Sequence, residues 1–163
     1  ERPLNEGVTA VTTLIGPGKQ DLLALGFQDG VVELSPLHLK GIGEKNTLQD
    51  CPNSPVSLLQ VGPPGSITVG FQDGTVGLWS LRDGILIQKT RLHGALTHVV
   101  MNENTLNAAS DLGDTLTWNL SPFYTDRCSL LREIWAEVPI VWQRGQATRH
   151  TAPSQHPCFP EME

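Results

Sequence analysis

Gly70-Phe71-Gln72-Asp73-Gly74-Thr75-Val76-Gly77-Leu78-Trp79-Ser80-Leu81 reads as two short strands joined by a tight turn. Ser66 to Phe71 carries enough apolar side chains to cover one sheet face. Asp73-Gly74 then supplies the turn, with glycine accepting positive φ at no steric cost. Thr75 to Leu81 resumes as a second strand, in which a period of two sends Thr75, Gly77 and Trp79 to one face and Val76, Leu78 and Ser80 to the other.

The same pattern recurs. Gly26-Phe27-Gln28-Asp29-Gly30-Val31-Val32-Glu33-Leu34-Ser35 lies 74 − 30 = 44 residues upstream, and Ser110-Asp111-Leu112-Gly113-Asp114-Thr115-Leu116-Thr117-Trp118 lies 113 − 74 = 39 residues downstream. A small-apolar-hydroxyl run precedes each hairpin: Ala10-Val11-Thr12-Thr13-Leu14, Pro55-Val56-Ser57-Leu58-Leu59 and Ala95-Leu96-Thr97-His98-Val99. Two motifs recurring in phase at roughly 40–45 residues are the mark of propeller blades, and the chain resembles a WD-repeat β-propeller.

That resemblance implies an all-β fold, a partial propeller of about three four-stranded blades over 1–120 (6–50, 51–92 and 93–120). The structural repeat positions it assigns are Asp29, Gly30, Asp73, Gly74, Trp79, His93, Gly113 and Trp118, with Trp79 and Trp118 expected between blades on equivalent strands. Ser35 stands where the first blade needs the Trp. In the family a His belongs to a buried hydrogen-bonded set with a turn Asp, a Ser or Thr and the Trp. Here His93-Gly94 is similar to the family's Gly-His pair, but Leu112 sits where that blade's Asp is expected. The second blade keeps Asp73 and Trp79 and has no His, whose place falls near Pro52.

Beyond Leu120 the pattern changes. Ser121-Pro122 and Thr125-Asp126 are alternative helix starts. Leu130, Leu131, Ile134, Trp135 and Val138 recur at helical spacing, and Pro139 is the expected stop. Within 121–145, Ile140-Val141-Trp142 is a candidate closing strand for the third blade. Residues 146–163, rich in Pro, Ser, His and Thr, read as an extended tail.

Composition narrows the function classes. A net charge of −6 in 163 residues is a poor match to a nucleic-acid partner, which needs clustered Lys and Arg. No apolar run is long enough to span a membrane. Three scattered cysteines, Cys51, Cys128 and Cys158, suit a reducing compartment, so a cytoplasmic protein is expected. Closed propellers typically need four to eight blades. The chain, opening on Glu1, therefore reads as the C-terminal piece of a longer protein whose other blades lie upstream or come from a partner.

No motif claims chemistry. Gly16-Pro17-Gly18-Lys19-Gln20 lacks the spacing of a phosphate loop and the hydroxyl after Lys. Cys128, His150, His156 and Cys158 are metal-ligating types without paired ligand spacing, and Cys128 in a first helical turn is a candidate low-pKa thiol; a polar tail and a structural cysteine account for both more simply. The repeat accounts for the hydroxyls of Thr12, Ser57 and Thr97 and for His93, which leaves nothing for a hydrolytic triad to explain. No cofactor is expected.

The expected function is therefore non-catalytic: a protein-interaction or regulatory scaffold. By family analogy it is the sensing or docking end of a bacterial signalling or defence protein. The alternative is a regulatory subunit produced by proteolysis at Glu1 that stays with its other half or a protease partner. An enzyme with a metal or Cys site in the tail is the weakest of the three.

Overall fold

The computed structural model describes residues 7–38, 41–43, 45–138, 140–149 and 158, and the chain divides into two compact units, 1–120 and 121–163. The first unit consists of three antiparallel sheets in chain order. Strands β1 (Val8–Ile15), β2 (Asp21–Phe27) and β3 (Val32–His38) form the first. Two short strands, β4 (Gly41–Ile42) and β5 (Asn46–Thr47), both pair with β3, so the irregular outer strand expected before Ser54 is split in two. The second sheet is β6 (Val56–Val61), β7 (Ser66–Phe71), β8 (Thr75–Ser80) and β9 (Leu86–Arg91). The third is β10 (Leu96–Asn102), β11 (Thr105–Ser110) and β12 (Thr115–Asn119), with no fourth strand among the described residues.

The repeat is exact enough in backbone geometry to correct its own alignment. In each sheet the pairing of the innermost strand with the second breaks register at its start: between Val8 and Ala10, Val56 and Leu58, and Leu96 and His98. The bulged residues are Thr9, Ser57 and Thr97. Thr9 Oγ1 donates to the Gly26 carbonyl at 3.2 Å and Thr97 Oγ1 to the Ala109 carbonyl at 3.1 Å. The run equivalent to Pro55-Val56-Ser57 is therefore Gly7-Val8-Thr9, not the stretch through Thr12. The longer first hairpin, with eight residues in β1 and seven in β2 against six each in β6 and β7, displaces it.

The sheets pack face to face through a close approach that glycine permits. A Cβ on Gly26 would meet the side chain of Val56, and one on Gly70 that of Leu96. The head of each inner strand thus seats on the second strand of the sheet before it. Leu14, Leu22, Ala24, Val32 and Leu34 of the first sheet form one core with Val56, Ile67, Val69, Phe71 and Trp79 of the second. Burial of that apolar surface on both faces of the second sheet is the main favourable term for this unit.

The second unit departs from the sequence reading. A short 3₁₀ turn at Ser121–Phe123 precedes α1 (Arg127–Glu137), whose N-cap is Asp126: its Oδ1 accepts from Cys128 N and Ser129 N, both at 3.0 Å. The apolar side chains at helical spacing are not buried; Ile134 and Val138 are exposed. The candidate closing strand becomes β13 (Ile140–Gln143), which pairs with β14 (Gln146–Arg149) in a hairpin of its own and not with β12. Residues 146–149 are therefore a strand and not tail, because Arg144-Gly145, both at positive φ, fold the chain back into a ladder. Cys128 and Cys158 form a disulfide with Cα atoms 4.8 Å apart, and Cys51 alone is free. The reading of three unpaired cysteines, a premise for a reducing compartment, does not hold for that pair. Pro139, His150 and His156 lie outside the described residues. No described helix is long and apolar enough to cross a membrane.

Candidate interaction surface

Each blade carries one copy of the tight turn, Asp-Gly in the first two and Leu112-Gly113 in the third, and the three copies share their backbone bonds. Gly30 N donates to Phe27 O, Gly74 N to Phe71 O and Gly113 N to Ser110 O, each at 3.1 Å, with glycine φ of 86°, 86° and 88°. Gln28 N, Gln72 N and Asp111 N then donate to Gly7 O, Pro55 O and Ala95 O, tying each turn to its own inner strand. Asp29 Oδ1 accepts from Val31 N and Asp73 Oδ1 from Thr75 N, which fixes the first two turns as Asx-type.

In the third turn the acceptor role passes to other residues. Leu112 is exposed where the turn Asp is expected. Asp111 Oδ1 accepts from Ala95 N at 2.8 Å, and Asp114 Oδ2 accepts from His93 N at 2.9 Å and lies 2.7 Å from His93 Nδ1. The His93 backbone N–H and then its ring hold the Asp114 carboxyl below the usual carboxylate value. His93 is thus a solvent-facing partner of Asp114, with its side chain 91% exposed, and not a member of a buried set with Trp118. The family-like buried network is replaced in the second blade as well: Trp79 Nε1 donates to the Gln49 carbonyl at 2.7 Å, and Asp73 N donates to Ser54 Oγ at 3.1 Å. Trp79 and Trp118 occupy the fifth position after their turn glycines, on β8 and β12, and both are buried. The eight repeat positions are distributed one set per blade and do not converge on a single site.

What the turns touch differs along the chain. A Cβ on Gly30 would strike the backbone of Pro52 and Ser54, and one on Gly74 the carbonyls of Leu92 and Gly94, so each turn supports the loop that leads into the next blade. A Cβ on Gly113 meets nothing within 4 Å.

The face of the first sheet opposite to the core is an exposed, partly apolar surface. Counted from the shared bulge, Val11, Leu59 and Val99 are equivalent. Val99 is buried, Leu59 is packed against the core, and Val11 is 63% exposed. Ile15 on the same face of β1 is 69% exposed, and Leu37 is also exposed. Ile15 and Leu37, with Thr13, Leu14 and Asp21, line an open depression of about 330 Å³. The face carries the ion pair of Lys45 with Glu33 at 2.9 Å. The outward face of the third sheet is different in kind: His98, Asn107, Thr115 and Thr117 accompany Val100 and Ala109, and Thr117 Oγ1 donates to Asn107 Oδ1 at 2.8 Å. The exposed face of the third blade is therefore largely polar, where that of the first exposes Val11, Ile15 and Leu37. No alternation in the sequence separates the two faces; only the position of a sheet within the arc does.

No protein-family model and no curated protein matches the chain. Solved structures do. The WD40 domain of Toxoplasma gondii coronin aligns with a TM-score of 0.59 and 15% identity over 69% of this chain and 30% of its own. The β-propeller domain of Cps50 (Swd1) from Myceliophteria thermophila aligns at 0.56 and 21% over 74% and 38%, and the RRP9 WD40 repeats at 0.59 and 11% over 74% and 38%. The three sheets are blades of the WD40 β-propeller fold, and the chain spans about a third of the length of these propellers.

Proposed function

We propose that the chain is a non-catalytic, propeller-based protein-interaction scaffold whose first blade docks an apolar protein surface, in the form of a further blade from the same protein or a partner. One observation carries this reading: Val11 is bare at a repeat position that the other two blades cover. Propeller sheets are built to stack, and a unit without its neighbour leaves apolar area in water at about 25 cal/mol per Å². The chain's likeness to roughly a third of several propellers, and its acidic charge, which disfavours nucleic acid, agree with a protein partner. On this reading the eight repeat positions, Asp29, Gly30, Asp73, Gly74, Trp79, His93, Gly113 and Trp118, are architectural, and the chain needs no cofactor.

The test is a double substitution, Val11→Glu with Ile15→Glu, which places charge on the exposed face without touching the core. The unmodified chain is expected to associate through this face in light scattering. The double variant is expected to be monomeric with an unchanged far-UV circular dichroism spectrum. An unmodified chain that is monomeric across the micromolar range, and indistinguishable from the variant, contradicts the proposal.

A further inference from the structure

The C-terminal unit is held together in a way that the blades are not. Of residues 121–149 whose burial is described, none is buried, and the unit's one buried described residue is Cys158 itself, at 5%. Helix α1 has 11 residues and no buried side chain, below the roughly 12–15 at which even good helix formers are marginal alone in water. The β13–β14 pair is a two-stranded hairpin, also marginal by itself. Its side-chain hydrogen bonds include the Asp126 cap, the bond from Arg132 Nη2 to Ser129 Oγ at 3.2 Å, and that from Arg132 Nη1 to the Cys158 carbonyl at 3.3 Å. One covalent bond, Cys128 to Cys158, closes a loop with a sequence separation of 30 across the unit.

We propose that this disulfide is a redox-controlled staple that decides whether the C-terminal unit is ordered. Closing a loop of that size biases the order–disorder equilibrium by roughly a few hundred-fold in the chain-entropy account, and among the residues whose burial is described no buried apolar side chain other than Cys158 stands behind it. The chemistry is ordinary exchange with a dithiol reductant. A thiolate of the dithiol attacks one sulfur of the pair, the Cys128–Cys158 bond breaks, and the other sulfur leaves as a thiolate that takes up a proton. The second thiol of the dithiol then resolves the mixed disulfide, so that the dithiol becomes a disulfide and both cysteines become thiols, a transfer of two electrons. Cys128 lies at the second position of α1, where a helix N-terminus favours a thiolate and so a leaving group. The staple acts only within 121–158, and the inference does not depend on what the blades bind.

Hydrogen exchange read by mass spectrometry on the full chain tests it, with oxidised or reduced dithiothreitol as the probe. Amides of 127–137 and 140–149 are expected to exchange on the order of a hundred-fold faster in the reduced protein. Those of β7 and β8 should not change, and reoxidation should restore the protection. Cys158→Ser should match the reduced protein under both conditions. Equal protection in the two redox states, or a non-reducing peptide map with Cys128 and Cys158 both as thiols under oxidising conditions, overturns the proposal.

Discussion

Gly74 and Gly113 have nearly the same backbone conformation, φ of 86° and 88°, and differ in what lies beyond the α-carbon. Both replacements by alanine meet the left-handed penalty, about 1–2 kcal/mol. Only Gly74→Ala also drives a methyl group into the Leu92 and Gly94 carbonyls, so it is expected to cost clearly more than Gly113→Ala in urea unfolding. Equal losses would mean that the turn does not support the following loop. Trp79, fully buried with its ring 6.0 Å from that of Phe71, is the bulk at the centre of the second blade; Trp79→Ala should cost about 3–5 kcal/mol, and a loss within the range of a surface change would contradict its place in the core. At Cys51, burial pushes the thiol up to about 11. The native protein near neutral pH should therefore label Cys51 more slowly with a thiol-exchange reagent than the unfolded chain does, and equal rates would refute that partial burial.

At the scale of elements, the β2–β3, β7–β8 and β11–β12 hairpins were legible because Asp-Gly and Gly punctuation survives in all three copies while the strands between them drift. The inner strand of the first blade was legible as a strand and not in register: Thr12 lies three residues beyond Thr9, and only the shared bulge, a backbone feature, identifies the equivalent hydroxyl. The β13–β14 hairpin was half legible, since Gln146–Arg149 is polar and its partnership depends on the turn at Arg144-Gly145. Helix α1 was legible from Asp126 and apolar spacing, but spacing alone does not say what a face packs against. The Asp126 carboxyl is held below its usual value of 3.8, first by Ser129 and then by Cys128 N–H, so the cap is worth most while ionised. The sign follows from the depressed folded value: its contribution is present above the unfolded carboxylate pKa and is lost as pH falls through the folded one. Amide protection across 127–137 should drop on acidification below pH 3.8 in the parent protein, and the drop should be absent in Asp126→Ala; an equal drop in both would assign it elsewhere.

The chain carries three stacked sheets in 1–120 and, in 121–163, a unit in which Cys158 is the one buried residue among those whose burial is described. The disulfide between Cys128 and Cys158 could not be read from spacing, because two cysteines 30 residues apart in a chain with a third offer no framework to pair them. Nor could the asymmetry of the arc be read. Val11 and Ile15 look like any alternating strand, and His98, Asn107, Thr115 and Thr117 look like any polar one. Only their equivalence to positions that are covered in the second blade sets the exposed Val11 of the first face apart from the hydroxyl, amide and imidazole groups of the third. The proposed role of the chain depends on the first blade's face being an interface. The measurement that tests it most directly is light scattering of the unmodified chain through the micromolar range, combined with urea unfolding at each concentration. The account predicts a mass above that of one 17.7 kDa chain and a midpoint that rises with concentration. A single-chain mass with one cooperative, concentration-independent transition would contradict it.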